Sequence, residues 1–306
     1  MELYLPIAQM SVHWLVILGM GGSVGFLSGL FGIGGGFLLA PLLMFAGIPP
    51  GVAVATTTSQ VSAATFSGVV THWKRKTLDL KMGTLMLCGG LTGTATGVYI
   101  FRLLREMGQM EFGVAVSYVV LLGSVGSLML AESVKTIRDI KAGRTSSGRK
   151  PGQHNWIHGL PFKMRFRRSR LYISIFPPLM FAFMVGVLSA IMGVGGGFIM
   201  VPVMIYLIKM PASMVPGTTL FQVLFVTATA TILHSVDNYS VDLVLAALLI
   251  VGGVIGAQIG VRLGGRLRGE QMRFLLALLT LAVAARLLYS LVVTPHDVYS
   301  LTIGAA

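Results

Sequence analysis

The amino-acid sequence predicts an all-α polytopic membrane protein built from two homologous halves. Of its 306 residues, 55% are hydrophobic and only 11% are charged, whereas a soluble domain carries about 25% charged residues. Several apolar runs reach the roughly 20 residues that a helix needs to cross a bilayer. A glycine-rich decapeptide also occurs twice, as GIGGGFLLAP at 32–41 and as GVGGGFIMVP at 193–202. A duplicated motif in an apolar chain indicates an internal repeat.

Each half contains five apolar segments. They span 12–31, 35–47, 52–72, 80–101 and 112–132 in the first half, and 172–192, 196–208, 212–235, 241–261 and 272–293 in the second. The second segment of each half has about 13 residues, which is about 20 Å of helix and too short to span comfortably. Either the glycine loop kinks one broken helix, leaving four crossings per half, or the first two segments form a hairpin that turns back on itself.

The repeat extends beyond the glycine motif, which recurs at a shift of 161 residues. After one inserted residue in the second half, Thr56 is equivalent to Thr218, Thr57 to Thr219, Gln60 to Gln222 and His72 to His234. After a second inserted residue, Asp79 is equivalent to Asp242. The sequence therefore predicts a first transmembrane repeat at 1–132, a basic cytoplasmic linker at 133–171 and a second transmembrane repeat at 172–306.

The distribution of positive charge predicts the orientation. Of the 23 Lys and Arg residues, 11 lie between Lys135 and Arg170, which indicates a cytosolic loop at the membrane surface, with the stretch KMRFRRSR at 163–170 as a membrane anchor, and not a nucleic-acid interface. With this linker in the cytosol, the hairpin arrangement places 20 basic residues inside and 2 outside, against 15 and 7 for four crossings per half. The positive-inside rule favours the hairpin arrangement. Both termini then lie outside, and the halves form an inverted-topology repeat.

The two glycine turns are the first candidate binding elements. Consecutive glycines permit positive φ angles and close approach of a ligand, and each triplet begins a short helix whose free N–H groups attract an anion. The predicted substrate-binding glycines are Gly34, Gly35, Gly36, Gly195, Gly196 and Gly197. By contrast, the G-G-x-x-G-x-x-x-G seams at 89–97 and 252–260 are predicted to serve helix packing.

Polar clusters in the third segments supply candidate side chains. We expect hydroxyl and amide groups in a bilayer to face the protein interior. The predicted substrate-binding side chains are Thr57, Thr58, Gln60, Thr218, Thr219 and Gln222. The alternative is that the threonine hydroxyls bond to the backbone of their own helices.

Five further residues are candidates for ion coupling or gating. His72 and His234 follow the third segments, where an interfacial position is predicted and proton sensing is the alternative. Asp79 and Asp242 begin the fourth segments and are predicted N-caps, with gating or ion coupling as the alternative. Arg286 lies inside the last segment, where a guanidinium has either a structural role at the lipid interface or attracts substrate.

The sequence predicts neither a cofactor nor an enzyme. Cys88 is the only cysteine, which excludes a cysteine-built metal site. The chain has no P-loop of the form GxxxxGK[ST], and no H-E-x-x-H motif or Ser/His/Asp grouping. Its predicted partners are therefore the lipid bilayer and a small anion.

The duplicated GxGGGFxxxP turn, the threonine-rich third segment, the His-then-Asp junction and the glycine-spaced fourth segment resemble the TauE/SafE sulfite-exporter family. The resemblance covers both halves but neither the linker nor the tail. It implies a bacterial inner-membrane transporter of sulfite, of organosulfonates such as sulfoacetate, or of a related sulfur oxyanion. We expect export of the anion by alternating access, driven by the membrane potential or by a proton gradient. Import and a channel built on half-helices remain alternatives, and nothing in the sequence sets the coupling ion or the oligomeric state. The 39-residue linker is long for the family, and ATTTS and PGTTL differ between the halves.

Overall fold

The computed structural model describes residues 2–31, 36–141, 162–166, 168–169, 171–211, 213–264 and 269–293. Within these ranges helices lie over every predicted apolar segment. They are α1 Trp14–Phe31, α2 Gly36–Phe45, α3 Pro50–Lys74, α4 Leu80–Glu106, α5 Met110–Lys141, α6 Phe176–Met192, α7 Gly197–Pro202, α8 Val215–Val236, α9 Leu243–Gly264 and α10 Gly269–Val292. The helix α5 continues nine residues past the predicted end of its segment at 132.

Five helices of the described chain are long and apolar enough to cross a membrane. They comprise α4 and α8, together with Met110–Lys135 of α5, Leu243–Gly260 of α9 and Phe274–Val292 of α10. The apolar parts of α1, α2 and α6 are shorter. The prediction of an all-α membrane protein is thereby confirmed.

Proline marks several of the helix boundaries. Pro50 lies at the start of α3, where a missing N–H costs nothing because the first amides of a helix have no partner inside it. Pro202 ends α7, and a π-helical turn over Val203–Leu207 follows directly. Proline has no backbone N–H to donate to the preceding turn, so regular α-helical bonding is interrupted at Pro202.

One β-hairpin precedes α1, and another precedes α6. The strand β1 (Glu2–Leu5) pairs antiparallel with β2 (Met10–His13), and β3 (Lys163–Phe166) pairs antiparallel with β4 (Leu171–Ser174). Both strands of the second hairpin lie 161 residues after those of the first, which is the shift that relates the glycine motifs. The sequence analysis did not predict these hairpins. The second one includes the basic stretch that was predicted to be a membrane anchor.

The principal helix contacts join one half to the other. The helix α1 packs on α9, α4 on α6, α5 on α10, and α3 on α8. Since α1 is equivalent to α6 and α4 to α9, the first helix of each half packs against the fourth helix of the other. Exchanging the two halves therefore reproduces the same set of contacts.

Glycine makes the α4–α6 and α1–α9 contacts possible. A Cβ at Gly97 would lie 2.6 Å from the carbonyl oxygen of Val187 in α6, and one at Gly93 would overlap the carbonyl oxygen of Phe183. In the other seam, a Cβ at Gly256 would overlap the backbone of Gly22 in α1. Backbones approach this closely only where no side chain intervenes. The predicted packing role of the two seams is confirmed.

Candidate functional site

The second glycine turn links α6 to α7 through left-handed backbone. Gly193, Gly195 and Gly196 have φ angles of +71°, +77° and +76°. A Cβ at Gly195 would lie 2.6 Å from Cγ1 of Val61, and one at Gly196 would overlap the side chain of Val185. Both the backbone conformation and the surrounding space therefore require glycine.

The first glycine turn lies largely outside the described residues, because these exclude Gly34 and Gly35 together with 32–33. Gly36, which begins α2, is described, and it lies directly against the second turn. A Cβ at Gly36 would be 2.8 Å from the carbonyl oxygen of Val194 and 3.0 Å from that of Gly193. The start of α2 and the second glycine turn therefore meet.

The start of α7 is buried. Ile199 N and Met200 N donate to the carbonyl oxygen of Gly196 at 3.2 and 3.0 Å, and Gly197 and Phe198 are both buried. The first amides of a helix have no partner within it, so those of Gly197 and Phe198 need an acceptor outside α7.

The opposite side of the turn, at the end of α6, is fixed by two side chains. The Tyr118 hydroxyl donates to the carbonyl oxygen of Met192, and His234 Nε2 lies 2.9 Å from the carbonyl oxygen of Ala190. Because a carbonyl can only accept, Nε2 carries the proton of the ring. The last carbonyls of a helix otherwise lack donors, and these two bonds supply them.

His234 lies near the end of α8, but its side chain is fully buried in protein. Its Nδ1 lies 3.0 Å from Nδ2 of Asn238, and the ring makes an edge contact with Phe101. The side chain is enclosed by protein between α4 and α6, and its interfacial position near a membrane face stays a prediction. His72 is half-buried, with Nδ1 2.8 Å from Oγ1 of Thr77.

Gln60 and Gln222 are the most distinctive polar groups of the site. Each is 2% exposed, and neither Oε1 atom has a hydrogen-bond partner in the described chain. The Gln60 amide nitrogen lies 2.5 Å from a Cβ built at Gly253, and that of Gln222 lies 3.1 Å from one at Gly90. Each glutamine thus faces a glycine in the fourth helix of the other half. Buried amides without a partner are rare and indicate a place for a ligand.

The predicted threonines are mostly bonded within their own helices. Thr57 donates to the carbonyl of Ala53 at 2.7 Å, Thr58 to that of Ala55 at 2.7 Å, and Thr218 to that of Met214 at 2.9 Å. The Thr219 hydroxyl instead lies 3.3 Å from the sulfur of Met204, a weak acceptor. In this conformation the hydroxyls of Thr57, Thr58 and Thr218 therefore bond to the backbone of their own helices, which was the alternative prediction. Of these four threonines, only Thr219 donates to a weak acceptor.

Asp79 is the N-cap of α4, as predicted, and it also joins the two halves. Its Oδ1 accepts from Met82 N at 3.3 Å, and its Oδ2 accepts from the amide and hydroxyl of Ser169 at 3.0 and 2.5 Å. Its own amide donates to Oγ1 of Thr218 at 3.2 Å. The set Asp79, Ser169 and Thr218 is named the Asp79 junction.

Asp242 makes the equivalent arrangement at the start of α9. Its Oδ1 accepts from Val244 N and Leu245 N, both at 3.1 Å, which confirms the cap. Its Oδ2 accepts from Ile7 N at 3.1 Å, and its amide donates to Oγ1 of Thr56 at 3.2 Å. The set Asp242, Ile7 and Thr56 is named the Asp242 junction. In each junction a buried carboxylate joins its own helix to the hairpin and third helix of the other half.

Arg286 lies on the exposed surface of α10. Its guanidinium carbon is 5.5 Å from the ring centroid of Phe45, at the end of α2. This cation–π contact fits the structural alternative for Arg286.

Several residues of the site were missed by sequence reasoning. Tyr118 and Ser169 carried no motif, and Ser189 was matched only as part of the repeat. Thr56 and Thr218 were visible as an equivalent pair, but their bonds to the aspartates of the opposite half depend on packing. A repeat identifies which residues correspond and not which of them touch.

Five helices of the described chain that are long and apolar enough to cross a membrane, with amide side chains buried among them, define a polytopic membrane protein. The family and the relatives reported next are membrane transporters and not enzymes. The chain belongs to the family described as Sulfite exporter TauE/SafE, which matches residues 17–287. It is 29% identical over 241 residues to "Probable membrane transporter protein YjnA" of Bacillus subtilis (strain 168), covering 78% of this chain and 85% of that protein.

Two further relatives extend the comparison. A "Probable membrane transporter protein" of Xylella fastidiosa (strain 9a5c) is 29% identical over 251 residues, covering 78% of this chain and 80% of its own. "Sulfite exporter TauE/SafE family protein 6" of Arabidopsis thaliana is 59% identical over 46 residues, which cover 15% of this chain and 11% of that protein. No solved structure matches the chain.

Proposed function

We propose that this protein exports a small sulfur-containing anion, sulfite or an organosulfonate such as sulfoacetate, by alternating access. The observation that carries the proposal is the contact between Gly36 and the second glycine turn, with the buried amides of Gln60 and Gln222 on the flanking helices. An amide presents either N–H or C=O to a ligand by a half rotation of its last torsion. With the N–H groups turned towards the ligand, the amides of Gln60 and Gln222 provide neutral donors for sulfur-bound oxygens. Neutral donors bind an anion weakly enough for release.

The proposed topology is an inverted repeat with a glycine-turn hairpin in each half. The Asp242 junction includes the first hairpin and the start of α3, whereas the end of α3 lies near the start of α8: a Cβ at Gly217 would be 2.7 Å from the carbonyl oxygen of Thr77. The equivalent helices α3 and α8 thus run in opposite directions. In the proposed topology the chain returns through α2 to the Asp242 side and through α7 to the Asp79 side.

The same arrangement supports the proposed orientation in a bacterial inner membrane. The Asp79 junction lies beside the basic residues Lys81, Arg165 and Arg168, and Arg168 donates to the carbonyl oxygen of Leu78 at 2.9 Å. By the positive-inside rule this side, with the linker 133–171, faces the cytosol. Both termini then face outward. An inside-negative potential favours outward movement of one negative charge by about 2.3 kcal/mol per 100 mV.

Alternating access requires contacts that close each side in turn. The Asp79 and Asp242 junctions are suited to this, since each joins the two halves near one membrane face. We assign Asp79 and Asp242 to gating and keep His72 and His234 as candidates for proton coupling.

Flux of radiolabelled sulfite and sulfoacetate in proteoliposomes tests the proposal, first with an imposed potential and then with an imposed pH gradient. Saturable, potential-driven flux with trans-stimulation is expected. Flux without trans-stimulation would instead indicate a channel, and accumulation against an outward driving force would indicate import. Absence of flux for both anions contradicts the proposed substrate class.

A further inference from the structure

Ser189, in the last turn of α6, has a buried hydroxyl that no described residue satisfies. The residue is 0% exposed, and its Oγ has no hydrogen-bond partner in the described chain. Hydroxyls elsewhere in the helices donate to a carbonyl of the preceding turn, as Ser117 does to Gly113 at 2.7 Å and Thr280 to Leu276 at 3.0 Å. A helical serine commonly satisfies itself in this way, so the free hydroxyl of Ser189 is an exception.

The position of Ser189 on α6 places it between two contacts. Val185 meets the glycine turn at Gly196, and Gly186 meets α4 at Gly90. At about 100° of rotation per residue, Ser189 lies about 40° round the helix from Val185, on the side of Gly186. It therefore lies between the face covered by the turn and the face covered by α4.

A second unpartnered group belongs to the same region. Gly90, which α6 contacts through Gly186, also lies against the amide of Gln222 in α8. Ser189 and Gln222 are two of the three buried side chains with an unpartnered atom in the described chain. Gly90 thus meets α6 through its carbonyl oxygen and α8 on the side where a Cβ would point, so the helices of Ser189 and Gln222 pack against the same residue of α4.

We propose that Ser189 is a substrate-binding residue, whose hydroxyl donates to an oxygen of the transported anion beside the second glycine turn. The inference rests on the proposed function and adds a ligand that belongs to α6. A hydrogen bond to an ionised acceptor is stronger than one to a neutral carbonyl. The Ser189 hydroxyl therefore gains more from a bond to the anion than from one to a carbonyl of its own helix. The proposed ligand is a sulfur oxyanion in which at least one oxygen is bonded to sulfur alone.

The first arm of the test compares Ser189→Ala with Ser117→Ala in the proteoliposome flux assay. Ser117 is the matched control, because its hydroxyl is already satisfied within α5. Ser189→Ala is expected to raise KM for sulfite by about tenfold or more, the loss of one charge-assisted hydrogen bond, with the melting temperature unchanged. A KM within about twofold of wild type, which is less than such a bond is worth, would overturn the inference.

The second arm does not require flux. Ser189→Cys and Ser117→Cys are made in a Cys88→Ala background, since Cys88 is an exposed free thiol, and both are treated with a sulfonate-bearing methanethiosulfonate. Sulfoacetate is the competitor, because sulfite itself cleaves mixed disulfides. Protection of Ser189→Cys alone supports the site, and does so even where the wild type shows no flux and the transport proposal fails. Labelling that sulfoacetate does not slow, or a thiol that never reacts, overturns the inference.

Discussion

Phe37 and Phe198 stack face to face, with ring centroids 4.5 Å apart and ring planes 14° from parallel. They are separated by 161 residues and occupy the same place in the two glycine motifs. Their stacking shows that the starts of α2 and α7 meet in the core, where both rings are 2% exposed or less. Two residues that are equivalent in the duplicated motif thus touch each other. The starts of α2 and α7 are therefore central to the fold, and substitutions at the second glycine turn, which leads into α7, are expected to alter both halves.

Gly196→Ala is expected to abolish measurable transport. The residue has a φ of +76°, and its added Cβ would overlap Val185. A non-glycine residue in left-handed backbone costs about 1–2 kcal/mol before any overlap is counted. We expect a lower melting temperature in detergent and loss of sulfite flux.

Gly123→Ala is the control for this variant. Gly123 lies within α5, and a Cβ there would meet nothing within 4 Å. Alanine is favoured over glycine in a helix by about 0.5–1 kcal/mol, so stability and flux should be kept or improved. Wild-type flux in Gly196→Ala would contradict a role for the turn.

Gln60→Leu is expected to separate stability from transport. Its Oε1 is buried without a partner in the described chain, a state that costs about 1–3 kcal/mol. Leucine removes that cost and keeps the volume similar, so the melting temperature should be unchanged or higher while flux falls. Gln222→Leu should behave in the same way. A loss of stability together with flux would instead show that the amides have structural roles.

Thr218→Val and Thr56→Val are expected to shift the accessibility of the central site in opposite directions. Valine keeps the shape of threonine and removes the oxygen that accepts from Asp79 N or Asp242 N. Weakening the Asp79 junction favours opening to the cytosol, and weakening the Asp242 junction favours opening to the outside.

Impermeant thiol labelling of Ser189→Cys, in Cys88→Ala vesicles of either orientation, measures this shift. Thr218→Val should speed labelling from the cytosolic side, and Thr56→Val should speed it from the outer side. Acceleration from the same side in both variants would contradict the gating assignment.

Arg286→Ala is expected to have little effect on transport. The guanidinium is exposed and contacts the Phe45 ring, a contact worth about 0.5–1 kcal/mol at such a site. A small decrease in melting temperature and an unchanged KM for sulfite are expected. A severalfold increase in KM would show that Arg286 attracts substrate.

The helices could be predicted from the sequence because each apolar run has the length and composition that a bilayer demands. The glycine seams were predictable for a similar reason, since glycine spacing encodes close approach. The hairpins were not, because four-residue strands such as β1 and β3 contain too few residues for an alternating pattern to stand out.

The site was predictable in part. Gln60 and Gln222 were identified by their repeat and by their polarity within an apolar segment. The bonds of the threonines to their own helices, and those of Asp79 to Ser169 and Asp242 to Ile7, depend on how the halves pack. The burial of the His234 ring was not predictable for the same reason, because only the packing of α6 and Phe101 encloses it.

Because the first helix of each half packs against the fourth helix of the other, neither half is a complete folding unit. Expressed alone, either half would expose the bare backbone of its glycine seams and leave a carboxylate, Asp79 or Asp242, without its donors from the other half. An ancestor of half this length would therefore have needed a second copy of itself.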